Sequence, residues 1–229
     1  APTIGTITQP TCASVKGSFT ITNYNASYTY TITPNSGVTQ SGSTITAPEG
    51  SYSITASTAS CGTSTATNFS INAQPLAPSI ATISTPSALC SGGSLSLTAP
   101  TVTTNGSAVT SQGWEISTTS GGSTYTALSL PYTVAFADNG KNIRYTATNG
   151  CGITTSNVVV LTVNPVVTAG AIGVNQTICS GTAPLGLTSV TDGTGSPAIS
   201  YEWQTNASGS YVTIGGATLA AYNPPALTA

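Results

Sequence analysis

Five cysteines, Cys12, Cys61, Cys90, Cys151 and Cys179, hold the side chains of this sequence that can be cross-linked by oxidation. The residue types on which catalysis usually rests are scarce. There is no His, and eight residues carry a formal charge: Lys16, Glu49, Glu115, Asp138, Lys141, Arg144, Asp192 and Glu202. Without His, neither a Ser-His-Asp or Cys-His arrangement nor a His-ligated zinc site can be built. No C-x-x-C pair or carboxylate cluster supplies another metal set. Asp138-Asn139-Gly140 and Asp192-Gly193 each offer one acid, so they read as hairpin turns and not as calcium loops. Glu115 and Glu202 lie beside Trp114 and Trp203 in separate parts of the chain, whereas a glycosidase needs two carboxyls within about 5–10 Å. They are expected to be exposed strand residues. The expectation is therefore a protein that is not an enzyme, with no metal and no cofactor.

Charge narrows the partners. The net charge is -2 and no Lys/Arg cluster exists, which argues against nucleic acid and against a polybasic membrane-surface site. No apolar run approaches the roughly 20 residues that span a bilayer, so no membrane insertion is expected. The opening Ala-Pro-Thr lacks the charged and apolar regions of a signal peptide. An exported protein would thus begin here after its signal, or inside a longer polypeptide.

The elements that must position the cysteines are strands. Ser and Thr make up roughly a third of the chain, well above ordinary globular usage, and they alternate with Val, Ile, Tyr and Phe. Period-2 runs include Ser18–Thr22, Tyr28–Ile32, Ser51–Ile54, Ser94–Thr98, Ile143–Ala147, Val158–Val163 and Ser200–Trp203. No stretch has a capped 3.6-residue period. Threonine is β-branched and suits the outer face of a half-buried strand. The fold class is accordingly all-β, built of antiparallel sandwiches with a neutral hydroxyl-rich surface.

Proline marks the boundaries. Asn72-Ala73-Gln74-Pro75-Leu76-Ala77-Pro78 and Asn164-Pro165 each follow a strand-like run, and proline ends strands by removing a ladder donor. The expected domains are 1–77, 78–165 and 166–229, small enough to need covalent staples. The second and third repeat one another. Leu89-Cys90-Ser91-Gly92 matches Ile178-Cys179-Ser180-Gly181, and Trp114 and Trp203 each follow their cysteine by 24 residues. Matched placement makes both Trp residues core candidates. Within a domain the first Cys precedes the second strand and the second Cys lies beside a Gly before the last strand. Bridges Cys12–Cys61 and Cys90–Cys151 are expected across one end of each sandwich, each contributing up to about 4 kcal/mol by loop closure. The third domain reads as cut short at Pro224-Pro225-Ala226-Leu227-Thr228-Ala229, which leaves Cys179 with a partner beyond residue 229. Disulfides imply an extracellular location. An isopeptide bond between Lys16 and Glu49 is a lesser candidate staple.

Cys90, Trp114 and Cys151, with Asp138-Asn139-Gly140 before Ile143–Ala147, resemble the Cys-Trp-Cys skeleton of an immunoglobulin domain. Ala147 stands where a strand-F Cys would be, which displaces the bridge to the domain's end. The closer similarity is to tandem immunoglobulin-like repeats of very large Bacteroidetes (Flavobacterium-type) cell-surface and gliding-motility adhesins exported by the type IX secretion system. It is carried by residues 2–12, 175–184 and 199–204. The resemblance implies a structural, adhesive repeat region: a rigid stalk presenting a binding region, with other repeats of the same polypeptide as partners. Two alternatives stay open: spacer or carbohydrate-binding accessory domains of a secreted hydrolase, and a filament subunit assembled by strand exchange. Tyr24, Tyr28 and Tyr30 are the candidate aromatic patch for surface glycans or other cell-surface proteins, against a plain core-packing role.

Overall fold

The computed structural model describes residues 1–173, 175–196 and 198–226. Of the expected third domain, Val174, Pro197 and the closing Leu227, Thr228 and Ala229 lie outside the described residues. Strands β1 to β7 are Gly17–Thr20, Thr29–Thr33, Thr39–Ser41, Thr44–Ala47, Gly50–Thr58, Gly62–Thr63 and Thr67–Ile71. Strands β8 to β14 are Ser79–Ile80, Leu89–Cys90, Ser94–Leu95, Val102–Thr103, Val109–Ser120, Tyr125–Ala127 and Tyr132–Thr133. After a 3-10 turn at Phe136–Asp138 come β15 to β18, at Lys141–Asn149, Gly152–Thr155, Val159–Val160 and Val163–Asn164. Strands β19 to β22 are Ala171–Ile172, Ser189–Thr191, Gln204–Thr205 and Val212–Thr213. Two compact units form, one from 1–84, 98–115 and 143–158, the other from 85–97, 116–142 and 159–229.

The first unit contains a sandwich that follows directly from the alternation. One sheet has the order β1-β4-β3; the other has β2-β5-β6 with β7 also on β5. Residues two apart turn the same way, so Phe19 with Ile21, Ile45 with Ala47, Tyr52 with Ile54, and Phe69 with Ile71 all enter one buried cluster together with Ile32. Aromatic rings fill its centre, Phe69 meeting Phe19 edge-on at 4.6 Å and stacking on Tyr52 at 5.1 Å. The intervening Ser and Thr face outward. The same unit holds β8 against β11 and β16 against β15, the latter through the Asn149↔Gly152 pair that closes a tight hairpin.

In the second unit β10 pairs antiparallel with β14, and β9 pairs parallel with β18. The buried apolar residues are Leu95, Ile116, Leu128, Val134, Val159, Leu161 and Val163. The expected Val158–Val163 run is split because it changes partner: β17 pairs with β15, Leu161 still accepts from the Gly140 N–H and donates to the Lys141 carbonyl, and β18 pairs with β9. Beyond Val163 no described residue is fully buried, and Leu185, Tyr211 and Leu219 are exposed. The strand expected at Ser200–Trp203 falls instead at Gln204–Thr205 against Val212–Thr213.

Strand order settles the architecture. The sheet β13-β12-β15-β16 with β17 on β15, a separate β10–β14 pair, and parallel pairing of β9 with the closing β18 give the C′-C-F-G and B–E arrangement of an immunoglobulin-like sandwich. The chain is all-β, with immunoglobulin-like antiparallel sheets.

Candidate functional site: a clamped proline linker

Pro75-Leu76-Ala77-Pro78 lies outside any strand, and its two prolines have no N–H to donate. Backbone groups between them need partners from elsewhere, and two side chains and a turn supply these to Leu76 and Ala77, while Gln74 ties the segment's start to Cys12. The Leu76 N–H donates to the Asn105 carbonyl at 2.9 Å, and Asn105 Nδ2 donates to the Ala77 carbonyl at 2.8 Å. Asn149 Nδ2 donates to the Leu76 carbonyl at 2.8 Å. Gln74 Nε2 donates to the Cys12 carbonyl at 3.0 Å.

The gripping turn is encoded locally. Asn105 and Gly106 have φ of 50° and 83°, the two left-handed central positions of a turn that Asn-Gly best satisfies, closed by the Ser107 N–H donating to the Thr104 carbonyl at 3.2 Å. A Cβ at Gly106 would make only ordinary contact with Pro75, 3.5 Å from its Cα, so the positive φ and not space is what calls for glycine. Asn149 then ties three segments together. It is buried, shares its amide with the Thr104 and Ser107 carbonyls at 3.2 and 3.3 Å, and accepts from the Cys151 N–H at 2.8 Å. That last bond shapes the β15–β16 turn that delivers Cys151.

Cys151 is bonded to Cys12, with Cα atoms 5.0 Å apart and 139 residues between them in sequence. This corrects both expected bridges. Cys12–Cys61 and Cys90–Cys151 are not formed, and Cys61, Cys90 and Cys179 are free and exposed. The reason lies in strand length. Cys12 sits at the level of Gln74, just past Ile71, which pairs with Gly50 at the start of β5. Cys61 follows Thr58, where β5 ends. Nine residues of strand at about 3.3 Å each put roughly 30 Å between the two levels, and a disulfide needs Cα atoms within about 7 Å.

The free Cys61 lies on the rim of a cavity of about 600 Å³ lined by Ala1, Pro2, Asn23, Tyr28, Tyr30 and the 56–64 hairpin. Hydrogen bonds from Ser60 and Thr58 hold its thiol below the ordinary value. The three candidate tyrosines are brought together here. Tyr24 and Tyr30 stack at 5.4 Å, the Tyr30 hydroxyl accepts from the Asn25 N–H at 2.9 Å, and Tyr28 is 44% exposed. None belongs to the buried cluster, although Tyr30 packs against it.

The other singled-out residues have structural partners. Trp114 and Trp203 are half-buried, not fully enclosed; Trp114 meets Tyr145 edge-on at 5.1 Å, and Trp203 Nε1 donates to the Leu219 carbonyl at 2.9 Å. Glu115 is not a free exposed acid, since Arg144 Nε donates to it at 2.7 Å. Glu202 is exposed and accepts from the Thr213 hydroxyl. Lys16 Nζ donates to the Gly37 carbonyl at 2.8 Å. In the 3-10 turn, buried Asp138 accepts from Lys141 Nζ at 2.8 Å, the Ala135 N–H at 2.8 Å and the Tyr132 hydroxyl at 3.1 Å. Its oxygens are thus committed to the turn, and Asp192 accepts from the Ser189 hydroxyl. Among the described residues no group of three or more His, Cys, Asp or Glu is placed to hold a metal ion.

Asp138 gives a pH signature. Burial pushes its pKa up, but hydrogen bonds from Lys141, Ala135 and Tyr132, with the Lys141 charge, outweigh this and leave it below its ordinary 3.8. A carboxyl with a depressed folded pKa contributes stability that is present above its unfolded value and lost as pH falls through the folded one. Asp138→Asn is therefore expected to cost about 2 kcal/mol at pH 7. The deficit should shrink below pH ~4; urea titrations at several pH values would check it, a pH-independent deficit contradicting the assignment.

Sequence reasoning missed Gln74, Asn105 and Asn149. A usable signal was present: Ala1-Pro2-Thr3-Ile4-Gly5-Thr6-Ile7 recurs as Ala77-Pro78-Ser79-Ile80-Ala81-Thr82-Ile83. Asn23 Nδ2 donates to the Ala1 carbonyl at 3.1 Å, as Asn105 does to that of Ala77.

A family model described as a domain of unknown function (DUF8696) matches residues 168–229. Among curated proteins none matches the chain. Of solved structures, extracellular domains 3–5 of Drosophila OTK are 13% identical with a TM-score of 0.36, over 71% of this chain and 62% of that one. The N-terminal four Ig domains of Dscam1 isoform 6.9 are 12% identical with a TM-score of 0.37, over 100% of this chain and 67% of that one. Tandem Ig repeats of Dlar are 14% identical with a TM-score of 0.31, over 72% and 100%. This chain therefore spans less than two thirds of the OTK fragment. The assignment of fold rests on this chain's own strand order and register.

Proposed function

We propose that this chain is a stretch of tandem immunoglobulin-like repeats, bounded near residues 77 and 165, in a secreted structural and adhesive protein. The repeats act as a stiff stalk that presents a binding region carried elsewhere. The observation that carries this reading is the clamp on the 75–78 linker. Proline limits its backbone freedom, asparagines satisfy its polar groups, and a disulfide closes over it. A stalk needs its joints held in this way. Catalysis would need convergent acid–base groups, and the clamp supplies none. A disulfide of this kind persists in oxidising surroundings, which fits an extracellular protein, and among the described residues no helix is long and apolar enough to cross a membrane. Resemblance at residues 2–12, 175–184 and 199–204 favours the large Bacteroidetes adhesins and their type IX export as the setting.

Pulling the chain from its ends tests the reading. With Cys12–Cys151 closed, the 139-residue loop is shielded from force. Unfolding should then release about 480 Å less contour than under reductant, at ~3.5 Å per residue. Equal release with and without reductant would remove the mechanical argument for a stalk.

A second reading, glycan contact at the Cys61 cavity, is favoured by the exposed Tyr28 ring beside Tyr30, since aromatic faces stack on sugar rings. Tyr28→Ala should abolish retention on a glycan array if this reading holds, and leave it unchanged if not.

A further inference from the structure

The five cysteines occupy two kinds of turn. Cys90 and Cys179 each open a turn in which their own carbonyl accepts from the residue three places on, Gly93 at 2.8 Å and Thr182 at 3.1 Å. Cys12 lies in a comparable turn, closed by paired bonds between Thr11 and Ser14 at 3.1 and 3.0 Å. Cys12 leads into β1 and Cys90 into β10. Cys61 and Cys151 instead sit where a nine-residue strand turns back on itself, after β5 and after β15. Each is followed by a glycine with positive φ, 72° at Gly62 and 147° at Gly152. The two strands have matching neighbours: β2, β6 and β7 on β5, and β12, β16 and β17 on β15.

The bridge that is formed joins one kind to the other, Cys12 to Cys151. It closes over a linker whose Ala77 carbonyl is held by Asn105, and the Ala1 carbonyl is held by Asn23 in the same manner. Beside Ala1 and Pro2 lies the open cavity with Cys61 on its rim. The hairpin end of the first repeat thus presents the same parts as the occupied hairpin end of the second.

We infer that Cys61, Cys90 and Cys179 are unpaired halves of this same cross-link, each taking the opposite kind of cysteine turn from an adjacent repeat of the same polypeptide. Successive repeats are then joined by disulfides throughout, never closed within one repeat. The inference rests on the tandem-repeat reading above. The chemistry is two thiol–disulfide exchanges with a low-molecular-weight disulfide. One protein thiolate attacks the small disulfide, forming a mixed disulfide and expelling a small thiolate that takes a proton from solvent. The second protein thiolate attacks the protein sulfur of that mixed disulfide and expels the other small thiolate. Two protein thiols are oxidised and one small disulfide is reduced to two thiols. Cys61 is suited to attack first, because its neighbours favour the thiolate.

The test is non-reducing peptide mapping of the whole polypeptide from its source, with free thiols alkylated before unfolding. Cys61 is expected bridged to a turn of the Cys12 kind, and Cys90 and Cys179 each to a hairpin turn of the Cys151 kind. Alkylation of any of the three in the native protein, or a bridge between two turns of one kind, overturns the inference. Alkylated thiols in a chain whose Cys12–Cys151 loop is still shielded from force would sink this cross-link alone and leave the stalk reading standing.

Discussion

Replacing Cys151 by Ser is expected to lower the unfolding free energy by up to about 5 kcal/mol, the chain-entropy value for releasing a loop of this length. The bridge spans 139 residues, so it restrains the unfolded chain far more than a bridge inside one small sandwich would. Cys12→Ser should cost the same, because either change opens the same loop. Cys61→Ser and Cys90→Ser should cost less than about 0.5 kcal/mol, as surface substitutions that open no loop; both are free and exposed. Calorimetry on the four variants without reductant separates the pairings. A loss at Cys61 comparable to that at Cys151 would mean that the bridge closes within the first sandwich after all.

Asn149 should matter almost as much, through a different term. Its amide faces the Leu76, Thr104 and Ser107 carbonyls and its oxygen accepts from Cys151. Asn149→Ala leaves several buried backbone groups unpaired and is expected to cost about 3 kcal/mol. Asn149→Asp keeps the shape but aims a carboxylate at three carbonyl oxygens, for a loss of about 4 kcal/mol at pH 7. Part of that loss should be recovered on acidification, as the neutral acid regains a donor. Urea denaturation at pH 7 and pH 4 measures both. If Asn149→Asp were no worse than Asn149→Ala at pH 7, the facing carbonyls would not be the reason for asparagine. Loosening this grip should also raise the rate at which reductant opens Cys12–Cys151, since the turn that places Cys151 depends on it.

Much of the sandwich was legible because a strand writes its two faces into alternate residues. Phe19 and Ile21, Tyr52 and Ile54, and Ile143, Tyr145 and Ala147 are buried as that alternation requires. The turn at Asp138-Asn139-Gly140 was legible as a turn, though it is a 3-10 turn and not the expected hairpin, whereas the Asn105-Gly106 turn was missed. Ser200–Trp203 misled because its alternation lacks a buried partner face: no described residue beyond Val163 is fully enclosed, and the pairing moved to Gln204–Thr205. Glu115 looked like a solvated acid because Arg144, its partner, is 29 positions away.

The sequence by itself determined the class of structure: an uncharged, His-free, Thr-rich chain of short alternating runs can only bury its apolar residues between sheets. It also determined that cysteines mark fixed points of a repeat. Which cysteine meets which was decided by tertiary structure. A nine-residue strand holds the two cysteines of the first sandwich about 30 Å apart at ~3.3 Å per residue. The docked 75–78 linker, by contrast, brings Cys151 to within 5.0 Å of Cys12. Spacing along a chain sets what is near in sequence; a disulfide answers only to distance in space.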